Sequence, residues 1–165
     1  MLKKIYGKNA YWLILTFLVI LLDQSSKFLV SHRLALYEVK QEIPGFFSFI
    51  LLHNQGAAFS FLNGEGIWAS WGLGALALLV SVGLLVWMLR TPPQNKKILG
   101  GMALILGGAL GNMLDRIFHG YVVDFLLFYK KPFYFPAFNL ADASITVGAF
   151  LLILDMLFSK RDIPL

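Results

Sequence analysis

The chain has no cysteine. That excludes a disulfide framework, a thiolate metal site and a cysteine nucleophile. Charge is scarce too: 14% of the 165 residues are Asp, Glu, Lys or Arg, while 58% are hydrophobic. A soluble domain is closer to a quarter charged and half apolar, so this is the composition of a membrane protein. The net charge of +5 does not point to nucleic acid. The basic residues form no long stripe and sit in short clusters between apolar runs, as orientation signals do. Metalloprotease and serine-hydrolase signatures are missing: there is no H-E-x-x-H and no G-x-S-x-G. His32, His53 and His119 are not spaced as a helical zinc pair. Ser25 and Ser26 are too near Lys27 in sequence to face it on a helix. Internal repeats and low-complexity tracts are not evident.

What is present is four apolar segments, over about 10–30, 67–89, 98–115 and 139–158, within one domain spanning 1–165. They predict an all-α membrane protein. Ile67–Leu89 has 23 residues and no charge, enough to span with some tilt. The first segment holds Asp23 and Lys27, and the fourth holds Asp142 and Asp155, so hydropathy alone leaves those two open. Lys3, Lys4 and Lys8 ahead of Leu13–Leu22 have the look of a signal peptide. However, Asp23-Gln24-Ser25-Ser26-Lys27 follows in place of a small-x-small cleavage site, so the segment is read as a retained span. Residues 1–9, 90–97 and 159–165 hold eight Lys or Arg, whereas the much longer stretches 31–66 and 116–138 hold five. The positive-inside rule therefore puts both termini in the cytoplasm, in agreement with an even number of spans. Tyr11, Trp12 and Trp87 mark the inner interface, Trp68 and Trp71 the outer one.

The outer stretches are more than linkers. "YEVKQEIPGFFSFILLHN" has strand-like pieces broken at Pro44-Gly45, and "NQGAAFSFL" supplies a turn and a short apolar piece. "GYVVDFLLFYKKPFYFPAFN" predicts a hairpin turning near Lys130-Lys131-Pro132. Both are rich in Phe and Tyr and are expected to lie on the membrane surface. In the third segment Ala103, Gly107 and Gly111 repeat every fourth residue, with Gly100 and Gly108 nearby. This spacing lets helix backbones approach closely.

Polar residues gather toward the outer face: Asp23, Lys27, Asn112, Asp115, Arg116, Asp124 and Asp142. A charge at membrane depth costs about 2.5–3.5 kcal/mol on insertion scales, so it faces a partner or a cavity. Asn112, Asp115 and Arg116 are spaced to share one side of a helix. The plain alternative is that Asp23 pairs with Lys27 and Asp115 with Arg116 for neutralisation only. Asn139 and Asp142 have the spacing of an N-cap and its third helical residue. Asp124, alone in "YVVDFLLF", is 18 residues before Asp142 and separated from it by the hairpin, a connection that can bring the two together. Two close carboxyls share a proton, which makes one a base and the other an acid. That is the chemistry of an aspartic protease. A small ion or proton transporter is the alternative, but it needs polar residues through the full depth of the bilayer. A structural protein whose acids are merely paired or capping is the third reading.

Five blocks carry a resemblance: "LDQSSK" at Leu22, "HNQGAAFSFL" at His53, "GGALGNMLDR" at Gly107, "GYVVDFLLF" at Gly120 and "FNLADASITVG" at Phe138. In this order the chain resembles the bacterial lipoprotein signal peptidases, or signal peptidases II, over nearly its whole length. The resemblance implies a four-helix membrane bundle with a small extracytoplasmic β-cradle. It implies an aspartic endopeptidase of the inner membrane that cuts prolipoproteins just before a diacylglyceryl-modified cysteine. It implies catalysis by Asp124 and Asp142. Asp23, Lys27, Asn54, Gly56, Asn112, Asp115, Arg116 and Asn139 match blocks that support the pair or hold substrate. No metal or organic cofactor is implied. Expected partners are lipid-modified prolipoproteins and membrane lipids, with globomycin as inhibitor, no nucleic acid, and a monomeric enzyme.

Overall fold

The structure, a computed structural model, describes residues 9–56 and 66–158, and of 66–69 the backbone alone. The flanking basic clusters at 1–8 and 159–165, the apolar piece 57–62 and the side chain of Trp68 lie outside the described residues. Four helices are long and apolar enough to cross a membrane. They are α1 (Trp12–Ser31), α2 (Gly66–Arg90), α3 (Lys96–His119) and α4 (Leu140–Phe158). Strands β1 (Val39–Ile43) and β2 (Phe47–Asn54) follow α1, and β3 (Val122–Lys130) and β4 (Phe133–Tyr134) follow α3. The strands form one antiparallel sheet in the order β1-β2-β3-β4. Its turns fall at Pro44-Gly45 and Lys131-Pro132, where the sequence places them.

α3 is the central helix, buried over most of its length, whereas the other three present long exposed apolar faces. Its glycines explain this. A Cβ on Gly107 would lie 2.7 Å from the Val19 Cβ and 2.9 Å from the Thr16 carbonyl oxygen of α1. On the other side, Gly101 and Gly108 meet Gly148 and Ala141 of α4 backbone to backbone. Ala103, Gly107 and Gly111, the fourfold set, thus share the face toward α1, Gly101 and Gly108 serve a second interface, and both are filled by the chain's own helices. Thr16 Oγ1 donates to the Ala103 carbonyl at 3.1 Å across one of these approaches.

Two apolar cores result. One joins α2 and α3 through Leu84, Met88, Ile98, Leu99, Met102 and Leu106. The other, Leu34, Leu51, Val123 and Phe125, seats the sheet on the helix ends. The polar residues lie between them. A Cβ on Gly108 would press on the Ala141 carbonyl, one residue before Asp142. Gly108→Ala is therefore expected to push the first turn of α4 outward. It should cost about 1–3 kcal/mol of stability as overpacking does and lower turnover with it. Gly72→Ala meets nothing within 4 Å and serves as the control. Equal melting temperatures for the two variants would show that the approach is not tight.

Candidate active site

β3 and the start of α4 build the site. Val122–Phe125 are buried on both faces of the strand, so Asp124 enters an apolar layer and is only 3% exposed. Phe138 then pairs with β3: Leu126 N–H donates to the Phe138 carbonyl at 2.8 Å and Phe138 N–H donates back at 3.1 Å. This bridge sets Asn139 beside Asp124. Asn139 caps α4 as the spacing predicts. Asp142 N–H donates to Asn139 Oδ1 at 2.9 Å, and Asn139 N–H donates to Asp142 Oδ2 at 3.2 Å. This is a reciprocal capping box. The same Asn139 donates through Nδ2 to Asp124 Oδ1 at 2.8 Å. One buried residue thus holds both carboxyls, Asp124 through its side-chain amide and Asp142 through its backbone N–H.

Each carboxyl has a second amide donor. Asn54 Nδ2 donates to Asp124 Oδ2 at 2.9 Å, and Asn112 Nδ2 donates to Asp142 Oδ1 at 2.8 Å. The Asn54 amide is held the right way round by Gly56, whose N–H donates to Asn54 Oδ1 at 2.8 Å. Gly56 adopts φ 116°, which side chains rarely allow. Burial pushes the Asp124 carboxyl up to about 6; the Asn54 hydrogen bond opposes this and the nearby Asp142 charge adds to it.

Asp124, Asp142, Asn54, Gly56, Asn112 and Arg116 line one cavity of about 820 Å³. Its remaining walls are mostly apolar: Leu73 of α2, Phe135–Phe138, and Ala143, Thr146 and Val147 of α4. Sequence reasoning did not single out these wall residues, because an apolar residue facing a cavity reads like one facing lipid. Arg116 donates through one terminal nitrogen to the Asn112 carbonyl at 3.2 Å, while its buried Nε has no partner among the described residues.

Asp23, Lys27 and Asp115 do not line this cavity; they lie behind it. Lys27 Nζ reaches Asp23 Oδ2 at 2.8 Å, Asp115 Oδ2 at 2.8 Å and Asn112 Oδ1 at 2.9 Å. Asp115 therefore pairs with Lys27 and not with Arg116. It also leaves the side shared by Asn112 and Arg116, since residues adjacent in a helix point about 100° apart. Asp23 Oδ1 accepts the Ala141 N–H at 2.9 Å, and Asp115 Oδ2 accepts the Val123 N–H at 3.1 Å. Gln24, overlooked in the sequence although it lies inside the first block, donates to Asp115 Oδ1 at 2.8 Å and to the Gly111 carbonyl at 3.1 Å. His32, His53 and His119 meet at a second cavity of about 600 Å³ beside Lys27 and Asp115. Among the described residues no group of three His, Asp or Glu is arranged to hold a metal ion.

Comparisons with known proteins identify relatives of the chain. The profile described as signal peptidase (SPase) II matches residues 15–158. The chain is 47% identical over 156 residues to the lipoprotein signal peptidase of Alteromonas mediterranea, covering 94% of this chain and 85% of that one. It is 47% identical over 151 residues to that of Pseudomonas aeruginosa, covering 91% and 89%. A bacterial membrane enzyme solved by the in meso method at 1.9 Å superposes with a TM-score of 0.79 at 26% identity, covering 92% of this chain and 95% of that one.

Proposed function

Because the chain belongs to the signal peptidase II family, and so is a membrane peptidase that removes signal peptides from lipoprotein precursors, we propose that Asp124 and Asp142 perform the cleavage as an acid–base pair. The observation that carries this is Asn139, which donates to Asp124 from its side-chain amide and to Asp142 from its backbone N–H, with both carboxyls at the wall of one cavity. Asp124, whose proton affinity burial raises, is the member that holds the proton in the reactive form. Asp142, at a helix N-terminus with N–H donors on both oxygens, starts as the base. Asp142 takes a proton from a water molecule, whose oxygen bonds to the scissile carbonyl carbon. Asp124 donates to the carbonyl oxygen and supports the tetrahedral intermediate. On collapse the C–N bond breaks, the leaving amine takes the proton that Asp142 removed from water, and the hydroxyl on the former carbonyl carbon returns its proton to Asp124 as the new carboxyl forms. Arg116 and the amides hold the peptide backbone, and the apolar walls accept the lipid chains and exclude water.

The protein is a multi-pass protein of the inner membrane. The site lies at the sheet end of the bundle. Arg90, Lys96 and Lys97 at the opposite helix ends, and the Lys and Arg of the terminal sequences, support cytoplasmic termini and an extracytoplasmic site. One chain supplies every residue of the pair and its supports, which favours action as a monomer. The transport reading finds no support in the far core, which Leu84, Met88, Leu99 and Met102 build.

The test is purified protein with a prolipoprotein that does or does not carry a diacylglyceryl group on its cysteine. Cleavage just before the lipidated cysteine is expected, blocked by globomycin. Intact substrate in every tube would sink the reading. The same assay checks the protonation scheme. As pH rises through about 6, Asp124 of the free enzyme loses the proton it must donate, so kcat/KM should fall on that side. A general acid and a general base acting together make the whole profile a bell. Substrate expels water and disfavours the ionised Asp124, so the alkaline limb of kcat should lie above that of kcat/KM. A profile flat from pH 5 to 8 would contradict the scheme.

A further inference from the structure

Outside the peptidase site, two cations meet over an apolar hollow. Arg33 follows the end of α1, and Lys40 lies on β1. Together with Leu29, Val30, Leu34 and Phe49 they line a depression of about 140 Å³. Lys40 and Phe49 are direct cross-strand partners, so their side chains share a face of the sheet. Leu34 belongs to the core beneath the sheet, and Val30 and Phe49 pack against that core, so the hollow has fixed walls. The Arg33 side chain makes no ion pair or hydrogen bond with any described residue. Lys40 pairs with Glu42 at 3.0 Å, with side chains 65% and 37% exposed. An exposed pair of this kind is weak and can exchange its partner. The three groups together leave one positive charge.

Position supplies the second argument. Arg33 lies four residues after Leu29, and Leu18, Leu22 and Leu29 fall on the same side of α1. These leucines are 45%, 61% and 50% exposed, so they form an unfilled apolar stripe ending at the hollow. We propose that the hollow binds the phosphodiester of an anionic glycerophospholipid through Arg33 and Lys40, with an acyl chain along Leu29, Leu22 and Leu18. The ligand comes from the leaflet on the sheet side and is distinct from the peptidase substrate. A bound lipid here would brace the β1–β2 hairpin, whose far end carries Asn54, against α1.

The experiment uses the full chain in nanodiscs containing phosphatidylglycerol and phosphatidylethanolamine in equal amounts, with retained lipids counted by native mass spectrometry. Preferential retention of phosphatidylglycerol is expected. Its preference should drop roughly 10- to 30-fold in the Arg33→Gln/Lys40→Gln double variant, the scale for two cations at an anionic surface. Lys130→Gln/Lys131→Gln removes the same charge at the other hairpin and should keep the preference. Unchanged retention in the first variant, or an equal loss in the second, would overturn the site. Release of the lipid by millimolar inorganic phosphate would overturn the lipid assignment in favour of free phosphate. Retention is read without turnover, so the result is independent of the cleavage mechanism.

Discussion

Asp124→Asn and Asp142→Asn are each expected to lower prolipoprotein cleavage by at least about 10³-fold, within the range supplied by positioned acid–base groups and larger where no substitute base is near. The structure shows that neither change is innocuous locally. Both oxygens of Asp124 accept amide hydrogens, from Asn54 and Asn139. Both oxygens of Asp142 likewise accept, from Asn112 and from the Asn139 backbone. A carboxamide must turn its NH2 toward one of these donors, leaving a donor facing a donor at a cost of about 1–3 kcal/mol. At Asp124 part of that cost is offset, because a neutral side chain no longer has to ionise in a buried place. Lost activity alone is therefore ambiguous between chemistry and disorder. The discriminating pair of measurements is turnover together with melting temperature. A fold that melts within a few degrees of the parent while turnover is gone assigns the loss to the reaction. Asp155→Asn is the control, since 13 residues along α4 place it about 20 Å from Asp142. Full turnover in either Asp124→Asn or Asp142→Asn would remove the acid–base pair.

These expectations rest on features that the sequence exposes unequally. The spans are legible because the bilayer demands long apolar runs, and the strands because the loops are rich in aromatic and β-branched residues and break at Pro44-Gly45 and Lys131-Pro132. The cap at Asn139 and Asp142 is a local matter of three residues, so spacing suffices. The aspartates meet through a hairpin and one bridge, a short connection that the chain order already suggests. Helix rotation is different. Nothing in "GNMLDR" says that Asp115 turns to α1 while Arg116 turns to the cavity, because that depends on which faces of α3 its neighbours cover. The glycines show the same limit. Gly107 and Gly108 are adjacent in sequence yet serve opposite partners, α1 and α4. The meeting of His32, His53 and His119 joins an α1 helix end, a strand and an α3 helix end, and no local pattern encodes it.

Lys27→Met is expected to damage the fold as well as the activity. The ammonium is nearly fully buried and spends its three hydrogens on Asp23, Asp115 and Asn112. Methionine fills most of the volume but leaves two carboxylates in a low-dielectric place without their cation. Removing one member of a buried ion pair typically costs about 3–5 kcal/mol, on the order of 10 °C in melting temperature for a domain of this size. The damage should spread along the bonds that the acids make. Asp23 holds the Ala141 N–H at the start of α4, and Asp115 holds the Val123 N–H next to Asp124. Both aspartates of the proposed pair are thus anchored, at one remove, on Lys27. Asn112, which donates to Asp142, loses the shorter of its own two donors as well. A second substitution separates the electrostatic cause from simple misfit. Asp115→Asn removes one of the stranded charges, so Lys27→Met/Asp115→Asn should be less destabilised than the sum of the single changes by about 1 kcal/mol or more. Additive losses would mean that charge burial is not what Lys27 relieves. A Lys27→Met protein that melts with the parent would mean that the network is not needed to hold the helices and sheet together.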